Sequence, residues 1–241
     1  MAGLKEVSMK SFFRFFAVIV FAVLFLSCSE KTYRVGDIVL TDGTVLAPSE
    51  VEAYKGSAEP LAVIFSVTGG EHENSNRVLG VGLKASEPLV FTPEDSESYS
   101  ISVTANYSMV AAQEYLIEEG QYSNLGFYGL TDGRKTWKNV VKADGNARES
   151  FANYPAFDYA VNYGIDNNFK KFEKGWYLPT AAEACMLAKS NLPDLPDFIW
   201  TSSQSFDAKE NELVVNLITG SVETGFKDMD YRVCSIYCFA E

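Results

Sequence analysis

The sequence has very little of what most catalytic sites are built from. Its 241 residues contain a single histidine, His72, which lies between Glu71 and Glu73 in a polar stretch. A metal site needs three or four converging ligands, and a Ser-His-Asp or Cys-His site needs a histidine beside its nucleophile. The dinucleotide-binding glycine motif, the P-loop, the zinc-protease motif and the serine nucleophile elbow are also missing from the sequence. We therefore expect no enzyme activity, no bound metal and no cofactor, with a glycosidase-like pair of carboxylates as the catalytic alternative.

Basic residues are scarce as well. Lysine and arginine number 20 against 32 aspartates and glutamates, which gives a formal net charge of -12. A surface this acidic argues against nucleic-acid binding and against attraction to an anionic membrane through a basic face. Hydrophobic residues make up 47% of the chain and charged residues 22%, so the chain is able to bury a sizeable core and is not disordered as a whole.

Only four cysteines are present, and three of them, Cys185, Cys234 and Cys238, lie in the last quarter of the chain. Cys234 and Cys238 share one face of a predicted strand, where a spacing of four residues places them about 13 Å apart, too far for a disulfide. Cys185 lies on a predicted helix and could reach either of them. Buried thiols that pack as small hydrophobic groups are the favoured interpretation, and a redox or metal site is the alternative.

One apolar run suggests targeting, and it covers residues 15–26 after the basic residues Lys10 and Arg14. A membrane-spanning helix needs about 20 apolar residues, so this run is short for a span. Its length and its basic flank are typical of a signal peptide. Met9 is an alternative translation start, because residues 1–8 add nothing that a signal peptide needs.

Residues 24–28, Leu-Phe-Leu-Ser-Cys, resemble the lipobox of bacterial lipoproteins, in which cleavage precedes a lipid-modified cysteine. Phe25 departs from that pattern, since leucine is commonest at its position. We expect Cys28 to be the lipidated residue, with acyl chains that attach the protein to a membrane. The predicted organisation is a signal peptide and lipidation site over residues 1–28, a tether over 29–32 and one domain over 33–241. An ordinary signal peptide with an incidental cysteine is the alternative.

Residues 175–183, Gly-Trp-Tyr-Leu-Pro-Thr-Ala-Ala-Glu, predict a rigid start to a helix. Thr180 and Glu183 have the spacing of a capping box, in which each side chain accepts the backbone N–H of the other residue. Pro179 precedes the cap, where its missing N–H does no harm. The apolar residues expected to anchor the core around this motif are Trp176 and Leu178, together with Trp200 in a later predicted strand.

Apolar patterning and turn signals predict strands towards both ends of the chain and helices between them. Asp42-Gly43 and Thr219-Gly220 are predicted hairpin turns. The predicted strands flank the first turn or cover residues 61–67, 78–84, 198–203, 212–218, 221–226 and 231–239. The predicted helices cover residues 108–119, 151–163 and the stretch after Thr180, with a helical turn at 137–142 and Gly164 ending the second helix. This order lacks regular βαβ alternation and predicts an α+β fold with mainly antiparallel pairing.

Seven short segments, taken in order, resemble a family of bacterial surface lipoproteins. The segments are residues 37–43, 62–67, 79–83, 154–157, 175–183, 199–203 and 232–234. The family carries a paralogous domain of unknown function with a C-type-lectin-like fold. That domain is related to formylglycine-generating (sulfatase-modifying) domains, whose Trp-x-Leu-Pro-Thr-x-x-Glu motif resembles residues 176–183, and to the C-terminal head of a collagen-like adhesin.

The resemblance implies a sheet in which both ends of the domain pair, two helices packed on it, and a long loop region that carries the variable surface. The calcium-binding tripeptides of sugar-binding lectins, Glu-Pro-Asn, Gln-Pro-Asp and Trp-Asn-Asp, do not occur in this sequence. Cys234 and Cys238 are four residues apart, whereas the copper-binding cysteines of the oxidising enzymes are five apart. We therefore expect neither calcium-dependent sugar binding nor formylglycine generation.

The anchor, the acidic body and the resemblance together predict a lipid-anchored extracytoplasmic binding or adhesion module that is not an enzyme. Its expected location is the bacterial cell envelope, at the outer membrane or the cell surface, and Ser29 after the lipidated cysteine resembles an outer-membrane sorting pattern. The expected partners are an unknown extracellular protein or glycan, and the membrane through the lipid anchor.

Aromatic side chains dominate contact energies at many interfaces, and several lie in the predicted loop region. The candidate ligand-binding residues are Tyr122, Phe127, Tyr128 and Trp137, with simple core packing as the alternative for each. Two other functions stay open: a thiol-based or degenerate sulfatase-modifying-type enzyme that uses Cys234 and Cys238, and a structural lipoprotein of the cell envelope.

Overall fold

A computed structural model describes residues 32–67, 77–101, 132–148, 151–204 and 208–241, and residues 33–241 form one compact unit. The strands in these ranges are β1 (Ile38–Leu40), β2 (Val45–Leu46), β3 (Pro60–Val67), β4 (Val78–Ala85), β5 (Phe198–Gln204), β6 (Asn211–Asn216), β7 (Val222–Phe226) and β8 (Cys234–Ala240). The α-helices are α1 (Thr136–Ala143), α2 (Pro155–Asp166) and α3 (Ala181–Lys189). The strands form two antiparallel sheets, so the predicted α+β class is confirmed.

The larger sheet has five strands in the order β2-β1-β3-β4-β8, and the smaller has three in the order β5-β6-β7. The last strand of the chain therefore lies in the same sheet as the first four, next to β4. The predicted hairpins are confirmed: β1 pairs with β2 around Gly43, and β6 pairs with β7 around Gly220. Both glycines have a positive φ, 85° and 77°, which a residue with a side chain adopts only with strain.

Several predicted element ends differ from the structure, among them the end of β6, which is Asn216 and not residue 218, and two of them differ for a reason that lies elsewhere in the chain. Gly164 does not end α2, which continues to Asp166. A Cβ at Gly164 would lie 2.1 Å from the carbonyl oxygen of Phe172, so this glycine permits a close chain crossing inside a helix. The terminal strand begins at Cys234 and not at residue 231, because Tyr231 and Arg232 instead form isolated bridges with Leu89 and Ile199.

The predicted helices at 137–142 and 151–163 also have different bounds in the structure. The helical turn predicted at 137–142 is a full helix, α1. The second helix begins at Pro155, in its first turn as predicted, and residues Phe151–Asn153 form a separate 3-10 turn before it. None of the helices in the described ranges is both long and apolar enough to cross a membrane.

Helix α3 lies between the two sheets, where it contacts β3 of the larger sheet and β5 and β6 of the smaller one. Leu187 of α3, Ile199 of β5 and Ile236 of β8 are buried in one cluster. On the larger sheet, the ring of Tyr163 from α2 packs against Gly82 of β4, and its hydroxyl accepts a hydrogen bond from the N–H of Lys84 at 3.0 Å. Two helices therefore pack on the larger sheet.

Several predictions concern residues outside the described ranges. These are the signal peptide with Cys28, most of the tether, the polar stretch with His72, the helix at 108–119, and three candidate ligand-binding residues, Tyr122, Phe127 and Tyr128.

Candidate functional site

Two groups of residues, each centred on a fully buried charged side chain, contact the backbone at residues 99–101 and at residue 133. We define the Glu183 cluster as Arg77, Asp132, Gly133, Tyr177, Thr180 and Glu183. We define the Lys227 cluster as Ser98, Tyr99, Ile101, Asp144, Tyr154, Glu212 and Lys227. Buried charged groups are costly and tend to be retained for a positional or functional reason, so these clusters are the natural places to look for a site.

The Glu183 carboxylate is fully buried and receives hydrogen bonds on both oxygens. Its Oε1 accepts from a guanidinium nitrogen of Arg77 at 2.9 Å and from the hydroxyl of Tyr177 at 3.0 Å. Its Oε2 accepts from the backbone N–H of Thr180 at 3.0 Å and from that of Gly133 at 3.1 Å. The carboxylate thus connects Arg77, which immediately precedes β4, the start of α3 and the chain at residue 133.

The predicted capping box is confirmed. The hydroxyl of Thr180 accepts the N–H of Glu183 at 3.2 Å, and the Glu183 carboxylate returns to the N–H of Thr180. Both residues have no measurable exposure. The same carboxylate that starts α3 also binds Gly133, so a local capping motif takes on a second, long-range contact.

Burial and the neighbouring charged groups shift the pKa values of the carboxyl groups in this cluster in opposite directions. Burial raises the pKa of Glu183, while the N–H of Thr180 and the charge of Arg77 oppose that rise. Asp132 lies 3.6 Å from Arg77 and makes an ion pair with Arg134. Burial pushes the pKa of Asp132 up, but the hydrogen bonds from Arg134 outweigh it and the net shift is downward. Asp132 therefore stays ionised between two arginines, which fixes the chain at residue 132.

The other residues of the motif build the core. The indole N–H of Trp176 donates to the carbonyl of Phe172 at 2.7 Å, and that of Trp200 donates to the carbonyl of Leu89 at 2.8 Å. Leu178 is fully buried, and the carbonyl of Pro179 accepts the N–H of Ser202 at 2.7 Å. These contacts assign them a structural role.

Lys227 is a fully buried lysine at the end of β7. Its ammonium group donates to the carbonyl of Ile101 at 2.9 Å and to that of Tyr99 at 3.2 Å. Burial lowers the pKa of Lys227, and the negative charges of Glu212 and, more weakly, Asp144 oppose the decrease. Lys227 therefore fixes the backbone at residues 99 to 101.

The same cluster contains a buried aspartate, Asp144, which follows α1. One carboxylate oxygen accepts from the hydroxyls of Ser98 and Tyr154, the latter at 2.8 Å, and the other accepts the N–H of Asn146 at 2.9 Å. Burial and the hydrogen bond to Asp144 raise the pKa of Tyr154. Tyr99 donates to Asp228 at 2.8 Å, and burial together with that bond raises the pKa of Tyr99 to about 12. These groups are suited to holding backbone in place, since each titratable one is already occupied by a partner.

Sequence reasoning missed the Lys227 cluster. Lys227 lies between Phe226 and Asp228 after a hairpin strand, a context that is typical of an exposed turn. The buried polar end of β5 was also unexpected, because Thr201, Ser202, Ser203 and Gln204 are all buried where alternation would expose one face. The only local sequence signal for this buried polar end is that the polar end of β5 pairs with Glu212 of β6, and this signal is weak.

Trp137 is the candidate ligand-binding residue that the structure does describe. Its ring stacks on Phe151 with centroids 4.4 Å apart and packs edge-on against Tyr154 at 5.8 Å. These contacts favour core packing for Trp137. Tyr122, Phe127 and Tyr128 lie in the sequence between residues 101 and 132, outside the described ranges.

The three cysteines of the described chain are free thiols, so Cys185 pairs with neither Cys234 nor Cys238. Burial raises the pKa of Cys185 and that of Cys234 to about 12, and it also raises the pKa of the half-buried Cys238. Over the described ranges, no three histidine, cysteine, aspartate or glutamate side chains gather in a way that could bind a metal ion. Cys185 and Cys234 pack as small hydrophobic groups in the main core cluster.

Comparison with known proteins adds no relative: no protein-family model, no curated protein and no solved structure matches this chain. The resemblance to C-type-lectin-like lipoproteins accordingly stays a prediction.

Proposed function

We propose that this chain is a lipid-anchored extracytoplasmic binding module with a C-type-lectin-like fold, and that residues 102–131 carry its contact surface. One observation carries the proposal. The chain on each side of that segment is fixed by a buried charged cluster, through Lys227 at Tyr99 and Ile101, and through Glu183 at Gly133. The proposed partner is an extracellular protein or glycan.

The energetics of the two clusters support a positional role. Replacing a buried ion pair by apolar residues is often neutral or stabilising, so such groups are weak sources of stability. Fixing both ends of a segment reduces the conformational entropy that binding would otherwise cost. The segment contains Tyr122, Phe127 and Tyr128, of the aromatic types that supply much of the contact energy in protein interfaces.

The sheet order supports the finer fold proposal. The resemblance implies that both ends of the domain pair in one sheet with two helices on it. In the larger sheet β8 pairs with β4, whereas β1 pairs with β2 and β3, so the two ends share one sheet but do not pair with each other. The sharing of one sheet, together with the contacts of α2 and α3 to it, is the part of the expectation that supports the proposal. The fold we propose within the α+β class is therefore C-type-lectin-like. The anchor at Cys28 and an outer-membrane or cell-surface location are part of the same proposal.

Binding is tested with bacteria that display the full chain. Cells are measured for adhesion to a panel of immobilised extracellular-matrix proteins and glycans. The triple variant Tyr122→Ser, Phe127→Ser, Tyr128→Ser is expected to lose adhesion at least about tenfold, as expected for loss of aromatic contacts. The control is Phe226→Ser, an aromatic side chain that is 57% exposed outside the segment, and it should adhere normally. Unchanged adhesion of the triple variant would contradict the proposal, and adhesion to no surface would favour a structural lipoprotein.

The anchor is tested separately with a fatty-acid analogue that is detectable after incorporation. The full chain should be labelled and should sediment with membranes, whereas Cys28→Ser should be unlabelled and should leave the membrane fraction. Equal labelling of both chains would remove Cys28 from the proposal without affecting the binding result.

The thiol-enzyme alternative makes a different prediction about reactivity. Because the thiolate is the reactive form, a buried thiol with a raised pKa reacts slowly. We expect iodoacetamide to modify Cys185 and Cys234 at least about a hundredfold more slowly in the folded chain than after denaturation. Fast modification of Cys234 together with Cys238, or a metal bound to them, would favour the enzyme.

A further inference from the structure

Among the strands at the edges of the two sheets, β7 is the one whose outer side the described residues leave open. The other edges have protection that is typical of natural sheets. Strand β2 is only two residues long. Outside β8, the backbone of Tyr177 exchanges two hydrogen bonds with that of Ile236, each at 3.0 Å. Outside β5, the N–H of Trp200 donates to the carbonyl of Arg232 at 2.9 Å.

The backbone of β7 presents hydrogen-bonding groups along this outer side. In an antiparallel pair, residues that exchange hydrogen bonds alternate with residues that do not. The N–H of Asn216 donates to the carbonyl of Ser221 at 2.9 Å, which fixes the alternation in the β6–β7 hairpin. The N–H and C=O groups of Val222, Thr224 and Phe226 therefore point away from β6. These three residues offer a row of donors and acceptors to a further strand.

The edge is regular and accessible. The five residues of β7 pair with β6 without a bulge, and the strand contains neither proline nor lysine. Within the described ranges, the one bond made to its outward groups is that from the N–H of Met229 to the carbonyl of Phe226, at 2.9 Å. Thr224 is exposed, and so are the apolar side chains of Phe226 and Met229. An open, regular edge beside exposed apolar groups is a template for pairing with another strand.

Symmetry favours a second copy of β7 as that strand. With a two-fold axis at Thr224, this residue faces its counterpart and Val222 faces Phe226 of the second copy, so every outward residue has a partner. Glu223 then faces Gly225 of the second copy, and no carboxylate lies directly opposite another. An axis at Glu223 would place two carboxylates opposite each other, which is destabilising. An axis at Gly225 would leave Val222 outside the pairing.

We propose that two copies of this chain pair through β7, which joins their smaller sheets into one continuous antiparallel sheet. The pairing uses neither residues 102–131 nor the anchor, so this proposal and the proposed binding function can fail separately. Adhesion does not require the pairing, and Phe226→Ser keeps its backbone groups, so this variant should still adhere normally. A five-residue strand buries far less than the roughly 1,600 Å² of a standard interface, and we expect a dissociation constant between about 10 μM and 1 mM.

Cysteine cross-linking in cells that express the full chain tests the axis. Thr224→Cys is compared with Glu223→Cys, its neighbour, and both positions are exposed. Both variants also carry Cys238→Ser, because Cys238 is the native thiol of the described chain that is only half-buried. Across the axis, the two copies of residue 224 have Cα atoms about 5.5 Å apart, within reach of a disulfide. The two copies of residue 223 are diagonal neighbours about 7–8 Å apart, beyond that reach.

After mild oxidation, we expect at least about tenfold more disulfide-linked dimer from Thr224→Cys than from Glu223→Cys. The reduced variants should unfold at the same midpoint as the chain with Cys238→Ser alone. Equal yields, which random collisions would give, a higher yield from Glu223→Cys, or no dimer from either would overturn the proposal. A product of Thr224→Cys with a different mass would also overturn it, because another protein would then pair with this edge.

A second measurement leaves β7 itself unchanged. Pulsed EPR of purified full chain with a spin label at Ile218→Cys, again with Cys238→Ser, is recorded at about 0.5 mM because the interface is small. Ile218 lies six residues before the axis, so at about 3.4 Å per residue the two labels should be about 40 Å apart. Adding Thr224→Lys places like charges opposite each other and should abolish this distance, whereas Thr224→Val should keep it. No defined distance, or one that Thr224→Lys leaves intact, would contradict the pairing.

Discussion

Glu183 receives five hydrogen bonds, whereas Lys227 donates two, both to backbone carbonyls, and has carboxylates as its charged neighbours. Three of the bonds to Glu183 come from Tyr177 and Thr180, within six residues of it. The two carbonyls that Lys227 binds are 126 and 128 residues away. Both side chains are fully buried, but one is fixed mainly by its own helix start and the other only by distant chain.

This difference shows how many hydrogen bonds remain to each buried charged group when one of them is lost. Removing one donor from Glu183 leaves four, so the carboxylate stays satisfied. Removing the ammonium group of Lys227 leaves two carbonyls without their donor and removes the positive charge that faces Glu212 and Asp144. We therefore expect a large loss in the free energy of unfolding from the Glu183 cluster only when Glu183 itself is changed. In the Lys227 cluster we expect a loss when any of its members is changed.

The largest effect is expected for Glu183→Gln. This change removes the charge of the closer of the two carboxylates that pair with the buried Arg77 and should lower the free energy of unfolding by about 3–5 kcal/mol. Urea denaturation measures it. Glu50→Gln is the control, because the carboxylate of Glu50 also accepts the N–H of the residue three before it, Ala47, but on the surface. A loss no larger than that of the control would mean that the charge of Glu183 is not what stabilises its cluster.

Lys227→Met is expected to cost somewhat less, about 2–4 kcal/mol. Methionine keeps much of the buried volume, so the loss comes from the unpaired carbonyls of Tyr99 and Ile101 and from the lost positive charge near Glu212 and Asp144. The same denaturation experiment compares it with Lys138→Met at an exposed lysine, where we expect little change. A more stable Lys227→Met variant would show that the lysine is retained at the expense of stability.

Two tyrosine variants compare the clusters directly. Tyr154→Phe removes one of three hydrogen bonds to Asp144 and should cost about 2 kcal/mol, whereas Tyr177→Phe removes one of five to Glu183 and should cost about 1 kcal/mol. Thermal and urea unfolding of both variants give the comparison. The reverse order would refute the idea that redundancy distinguishes the two clusters.

The smallest effect concerns pH. Burial lowers the pKa of Lys227 from 10.5 in the folded chain, so just below pH 10.5 the unfolded chain binds more protons. The contribution of Lys227 to the free energy of unfolding then rises with pH in that window, by up to about 1.4 kcal/mol per pH unit. The difference between the unchanged chain and Lys227→Met should therefore grow between pH 8 and 10, while that for Lys138→Met stays constant. A difference that shrinks with pH would contradict the sign.

Much of the fold could be predicted because its signals are local. Asp42-Gly43 and Thr219-Gly220 produce hairpins because glycine accepts the positive φ of a tight turn, and Thr180 with Glu183 caps a helix through groups three residues apart. The prediction that Gly164 ends α2 is wrong because the cause is not local. A glycine near a helix end looks like a stop signal, but here the carbonyl of Phe172 crosses the helix there.

The sequence alone determined the turns, the capped helix, the α+β class and the acidic character, since each depends on neighbouring residues or on composition. Only the tertiary structure decided that Glu183 also binds Gly133, that Lys227 is buried, and that the chain at Phe172 crosses α2 at Gly164. The physical reason is range: a hydrogen bond between groups 50 to 128 residues apart leaves no periodicity in the sequence, because it exists only after the sheets and helices have packed.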